Sequence, residues 1–230
     1  MTTQIEYTRQ LDWFSPADNP DAHVTIVGVG GIGSFAAMAL AKLGVPKLTL
    51  VDYDEVEPHN LPNQMFQTID IGRPKVEAVE GAVYVVNPEC EVVTICGGLG
   101  DGIVPGAARP AGVVVSGLDS MEARADLWGQ LKYETAVPLY LDARLAGQQV
   151  ILYAACPAKW DDIQGYEATL HSDAEGLNTA CTARAVIDVG FAVASLITRA
   201  VRRHYAGLPV ERVAWLDQES LVIRTQEQYA

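Results

Sequence analysis

The apolar positions of the chain fall into two patterns. Residues 24–27 (VTIV) and 48–51 (LTLV) are near-continuous apolar runs, as strands buried on both faces of a parallel sheet are. Between them, 34–43 carries helical spacing and is closed by Gly44 and Pro46. The pattern then repeats. Residues 73–87 predict a helix, with Pro74 suited to its first turn, and 91–96 (EVVTIC) a strand. Residues 112–118 (GVVVSGL) predict another strand, 120–134 a helix, and "PLYLDARL" leads into "GQQVILYAA". This alternation predicts an α/β fold, a doubly wound, mostly parallel, Rossmann-like sheet over roughly 24–145.

The last third reads differently. Residues 157–180 are polar and are expected to be irregular. Residues 182–205 predict a buried helix, and 212–226 two short strands around a turn near 217–220, a C-terminal antiparallel extension. One domain is expected, with an N-terminal arm (1–22), a nucleotide-binding core (23–150), a crossover region (151–181) and a C-terminal helix and strands (182–230).

Charge and cysteines narrow the function. Sixteen basic against 29 acidic residues give a net charge of −13, which argues against nucleic acid as a partner. Cys90, Cys96, Cys156 and Cys181 form no Cys-x-x-Cys pair, so no zinc is expected. The first three lie in or beside strands and read as core. No secretory signal opens the chain, and the longest apolar run (185–201) contains Asp188 and Arg199. A soluble, cytoplasmic protein that does not enter membranes is expected.

Gly28, Gly30 and Gly33 fit G-x-G-x-x-G between the first strand and its helix. Gly28 permits the tight turn, Gly30 lets backbone approach a phosphate, and Gly33 lets helix and strand pack closely. The helix N-terminus favours an anion. Asp52, 19 residues past Gly33 at the end of the second strand, can accept ribose hydroxyls. This pattern leaves NAD and ATP both open.

The polar segment 54–72, followed by "GRPK", separates them. A loop of this length is uncommon unless it is functional. Together these motifs resemble the ThiF/MoeB/HesA family, bacterial relatives of ubiquitin-activating enzymes, over about residues 5–205. The family's G-x-G-G-x-G matches Gly28, Gly30, Gly31 and Gly33; its D-x-D matches Asp52 and Asp54. Its N-L-x-R-Q aligns with Asn60, Leu61, Pro62, Asn63 and Gln64, and its G-x-P-K with Gly72, Arg73, Pro74 and Lys75. "EYTRQ" supplies Arg9, and "SGLDSMEAR" supplies Asp119, with Arg124 in the helix behind it.

The resemblance implies ATP-dependent adenylation of the C-terminal glycine of a ubiquitin-like or sulfur-carrier protein ending in Gly-Gly. It implies Asp52 on the ribose, Lys75 on phosphate, Mg²⁺ on Asp119, and an Arg9 that crosses a homodimer interface to the other subunit's ATP. Such chemistry needs cations placed where charge develops on the α-phosphate. It needs no general base, because a C-terminal carboxylate is already ionised.

The family's motif arginine is Asn63 here; an asparagine donates hydrogen bonds but brings no charge. A non-catalytic nucleotide-binding scaffold and a relative activating another carboxylate therefore stay open. Cys181, in "LNTACTARAVID", stands where relatives carry a transfer cysteine for thioester or persulfide chemistry; a buried apolar cysteine is the alternative. Asp119 as a helix cap and Lys75 as a helix-surface lysine are the bland alternatives at those positions.

Overall fold

The computed structural model describes residues 5–97, 110–171, 186–227 and 229. Their strands are β1 (His23–Val27), β2 (Lys47–Asp52), β3 (Glu91–Cys96), β4 (Val113–Ser116), β5 (Leu139–Ala146), β6 (Gln149–Ala155), β7 (Val213–Asp217) and β8 (Val222–Gln226). They form one sheet in the order β3-β2-β1-β4-β5-β6-β7-β8. Pairing is parallel from β3 through β5 and antiparallel from β5 to β8. The expected doubly wound sheet with an antiparallel C-terminal extension is therefore what forms.

The helices are α1 (Gly33–Leu43), α2 (Lys75–Val86), α3 (Met121–Leu131), α4 (Trp160–Glu167) and α5 (Ile187–Tyr205). Because side chains alternate across a strand, the sheet feeds two cores. Val24, Ile26, Leu48, Leu50, Val113 and Val115 pack with α1, α2 and α5. Val27, Val51, Val114 and Tyr140 pack with Leu127, Trp128 and Leu131 of α3 and with Ile163 and Tyr166 of α4.

Three expectations need correction. Residues 157–180 are not irregular throughout, because α4 lies among them. Its sequence, WDDIQGYE, is too polar to signal a helix; Ile163 and Tyr166 bury one side, and buried Asp162 accepts from Cys156 N (2.8 Å) and pairs with Arg212 (2.9 Å). The described part of the 182–205 helix is amphipathic rather than buried: Val189, Val193, Ile197 and Val201 face inward, while Phe191 is 59% exposed. Cys96 is exposed at the end of β3 and Cys156 half-buried, whereas Cys90 is buried, which pushes its thiol up to about 11. Cys181 is outside the described residues.

The N-terminal arm anchors on one end of α1. Gln10 Nε2 donates to the Leu43 carbonyl (2.6 Å), and the Tyr7 ring lies against Gly44. Among the described residues no helix is long and apolar enough to cross a membrane.

Candidate active site

β1 has β2 on one side and β4 on the other, so the strand order reverses between β1 and β4. Open α/β sheets bind ligands outside the carboxyl ends of strands at such a point. Here it holds a cleft of about 180 Å³, lined by Gly28, Gly30, Gly31, Asp52, Asp54, Gln64, Lys75 and Asp119 together with Tyr53, Gly97, Gly117 and Leu118.

The floor is the turn from β1 into α1. Gly28 N donates to Val51 O and Gly117 N to Val27 O, both at 2.8 Å, tying the ends of β1, β2 and β4 together. Gly28 has φ of +84°, and a Cβ there would lie 2.9 Å from the Gly117 carbonyl. A Cβ on Gly33 would lie 2.0 Å from Gly28 O, so the helix can start this close to the strand only without a side chain. Ile32, at the N-cap of α1, offers no side-chain cap. Among the described residues the N–H groups of Gly30, Gly31 and Ile32 have no hydrogen-bond acceptor, which leaves them for an anion at the positive end of the helix.

Asp52 stands at the rim. Its Oδ2 accepts from Val29 N and its Oδ1 from Asp54 N, each at 2.8 Å. Burial raises its pKa above the ordinary carboxylate value, against the two backbone N–H bonds and the Lys75 charge. Two lone-pair directions remain for ribose hydroxyls. Lys75 opens α2, nine-tenths buried, and its ammonium lies 2.6 Å from Asp54 Oδ2. It is the only basic side chain among the described residues lining the cleft. The Tyr53 hydroxyl is pushed up, first by the Asp54 charge, then by burial and by Asp119 and Asp52. Three carboxylates, Asp52, Asp54 and Asp119, thus stand at the mouth beside the one ammonium of Lys75.

The loop 54–72 is tightly built rather than loose. Val56 N bonds Arg73 O (2.9 Å) and Gly72 N bonds Val56 O (2.8 Å). Asn60 is buried and accepts from Glu57 N (2.8 Å), serving as a cap for its own turn rather than lining the cleft. Ser34, fully buried, donates from Oγ to Gly30 O (2.6 Å) and accepts from Met65 N (3.2 Å). This bridge holds the 63–65 segment against the glycine turn. Gln64 reaches the cleft, its Oε1 3.6 Å from where a Gly30 Cβ would be. Its Oε1 and the Oδ1 of Asn63 are buried without a hydrogen-bond partner among the described residues, and Asn63 itself does not line the cleft.

Asp119 is exposed, directly after the Gly117–Leu118 turn at the end of β4; the cap of α3 is the next residue, Ser120, whose Oγ accepts from Ala123 N (3.2 Å). Among the described residues no three His, Cys, Asp or Glu side chains converge on a point. Mg²⁺ needs no such cage, being commonly held by one or two carboxylates plus substrate phosphates and water. Asp119, lining the cleft with Asp52 and Asp54, fits that donor set. Arg9 is exposed on the arm, at the C-terminal end of α1. The glycine turn is at the other end of this 11-residue helix, about 16 Å away by helical rise.

The structure thus gathers Gly28, Gly30, Gly31, Asp52, Asp54, Gln64, Lys75 and Asp119, and leaves Gly33, Asn60, Asn63 and Arg9 outside the cleft lining. Sequence reasoning missed Tyr53, Gly97 and Gly117 as lining residues and Ser34 as a support. Gly117 had a legible signal, a glycine ending an apolar strand; Ser34 had none.

Comparison with known proteins bears on the family and the fold. The ThiF family model matches residues 15–200. The chain is 33% identical over 134 residues to the tRNA threonylcarbamoyladenosine dehydratase of Escherichia coli K12, covering 56% of this chain and 48% of that protein. It is 31% identical over 155 residues to the molybdopterin-synthase adenylyltransferase of Salmonella typhimurium, covering 64% and 62%. A crystal structure of E. coli MccB with ATP superposes with a TM-score of 0.72 at 20% identity, covering 91% of this chain and 64% of that one. The chain therefore spans less than two thirds of these relatives' lengths.

Proposed function

The chain belongs to the ThiF family, and from that premise we propose that it uses ATP to adenylate the C-terminal carboxylate of a ubiquitin-like or sulfur-carrier protein ending in Gly-Gly. The observation that carries the reading is the convergence of Lys75, Asp52, Asp119 and an uncapped, glycine-lined helix start on one cleft at the β1/β4 switch point.

The carboxylate arrives ionised. Its oxygen attacks the α-phosphorus, the bond to the bridging oxygen of the pyrophosphate breaks, and an acyl-adenylate and pyrophosphate result. Asp52 holds the ribose and thereby aims the α-phosphate. The N–H groups of Gly30, Gly31 and Ile32 and the Lys75 ammonium neutralise charge on the phosphate oxygens as it builds. Mg²⁺, held by Asp119 and the phosphates, supplies further charge neutralisation when bound. The nucleotide displaces Asp54 as the partner of Lys75, because a phosphate offers a stronger anion to the same donor.

Arg9 cannot reach its own subunit's cleft from the far end of α1, so its family role requires a second copy; a homodimer is part of the proposal. Cys181 is proposed as the acceptor in any later thioester or persulfide step. A second reading, a nucleotide-binding scaffold without turnover, is favoured by Asn63, which neither carries the motif's positive charge nor lines the cleft. A third, activation of another carboxylate, draws on the E. coli relative named for a tRNA nucleoside, against which the net charge of −13 counts.

Product analysis tests the proposal. With ATP labelled at the α-phosphate, Mg²⁺ and a Gly-Gly-ended carrier, label is expected in AMP released from the acyl-adenylate, with equimolar pyrophosphate. Bound ATP that is never cleaved supports the scaffold; ADP and phosphate as products overturn adenylation.

A further inference from the structure

Behind the Asp119 loop lies a buried charge cluster that the proposed chemistry does not use. Asp142, in β5, is wholly buried. Three donors hold it: Arg124 Nε at 2.9 Å, Arg144 Nε at 2.7 Å and the Tyr166 hydroxyl at 3.0 Å. Arg124 is 6% exposed, and its Nη2 donates to the carbonyls of Leu118 and, at 3.3 Å, Ala143. Arg144 turns the other way, to the carbonyl (2.9 Å) and hydroxyl (3.0 Å) of Thr169, with its guanidinium 4.4 Å from the Tyr153 ring centre.

Two guanidiniums on one carboxylate are an expensive way to stabilise a core, since well-packed apolar side chains do as well or better. What a planar fork does that an apolar side chain cannot is fix several acceptors in one geometry. Here the acceptors are a rigid strand residue and the carbonyl immediately before Asp119.

We propose that Arg124 is a positioning residue: fixed by Asp142, it sets the Leu118 carbonyl and so the direction in which Asp119 presents its carboxylate to Mg²⁺ on the nucleotide. The inference rests on the reading of Asp119 given under the proposed function. Arg144 is the internal control, because it shares Asp142 but has no contact with the Leu118–Asp119 turn.

The test is ATP binding by calorimetry on the full chain, in Mg²⁺ and in EDTA, alongside thermal unfolding. The wild type is expected to bind ATP more tightly with Mg²⁺. Arg124→Lys, which keeps a charge for Asp142 but not the fork, should bind within about twofold of wild type in EDTA and lose about tenfold or more of the Mg²⁺-dependent gain, as second-sphere changes at metal sites do. Arg144→Lys should keep that gain. Arg124→Gln substitutes for the lysine variant if the latter does not fold. The proposal is overturned if Arg124→Lys keeps the full gain, if its affinity falls equally in EDTA and Mg²⁺, or if Arg144→Lys loses the gain as well. A wild type that binds ATP without any Mg²⁺-dependent gain overturns the reading of Asp119, and this inference with it.

Discussion

Lys75 and Asp54 are joined twice: the Lys75 ammonium lies 2.6 Å from Asp54 Oδ2, and the Lys75 backbone N–H donates to the Asp54 carbonyl at 2.9 Å. The second bond is local architecture, closing the strip where Glu55 pairs with Pro74. The first parks a nearly buried cation in the cleft that the glycine turn lines. Lys75→Ala should therefore leave the fold intact and lower adenylation turnover by about 10²–10³-fold, the size of losing one oriented donor to a developing charge. Pre-steady-state adenylate formation measures it; unchanged turnover would remove Lys75 from the phosphate site.

Gly30 and Gly33 separate function from packing. A Cβ on Gly30 meets nothing closer than 3.6 Å, whereas one on Gly33 would sit 2.0 Å from the Gly28 carbonyl oxygen. Gly30→Ala is expected to unfold within a few degrees of wild type but bind ATP at least about tenfold more weakly, roughly 1.4 kcal/mol, because the methyl stands where phosphate must approach. Gly33→Ala should lose about 1–3 kcal/mol of stability or fail to fold. Denaturant titrations and ATP binding on both variants decide it.

Ser34→Ala removes the bridge between Gly30 O and Met65 N. A backbone donor in a half-buried place then lacks its acceptor, at about 1–3 kcal/mol. The 63–65 segment should loosen, giving faster hydrogen exchange at Met65 and weaker ATP binding. Exchange at Met65 indistinguishable from wild type would contradict the bridge.

Acid sensitivity should involve an ion pair outside the cleft lining. Arg199 of α5 pairs bidentately with Glu211, both bonds 2.7 Å, and this bonding lowers the Glu211 pKa from 4.5 to about 2. The folded value lies below the unfolded one, so the stabilisation is fully present above the unfolded pKa and is lost as pH falls from about 4.5 through about 2. Glu211→Gln should reduce stability at pH 7 by about 0.5–1 kcal/mol, the range of partly exposed pairs. The gap to wild type should narrow below pH 4.5. A gap independent of pH would show that the charge is not what Glu211 contributes.

How much of this was readable beforehand follows from where the determining contacts lie. The strands β1, β2 and β4 were legible because a strand covered on both faces must be apolar along its length, and 24–27, 48–51 and 113–116 are nearly so. The glycine cradle was legible because Gly28 and Gly33 meet backbone only a few residues away in sequence or across one strand pair. Helix α4 was not, because the charge partner of its buried Asp162 is Arg212, 50 positions later. The cluster around Asp142 was hidden in the same way: in "LYLDARL" nothing distinguishes an aspartate facing Arg124 and Tyr166 from one facing water. Asn60 matched a motif letter, yet its side chain is occupied by its own turn.

The most direct test of the central claim is exchange of labelled pyrophosphate into ATP, measured with Mg²⁺ and a panel of small Gly-Gly-ended carrier proteins. The account predicts exchange that depends on one carrier, requires its free C-terminal carboxylate, and is lost in Lys75→Ala. Exchange at background with every carrier, in protein shown to bind ATP, would contradict it.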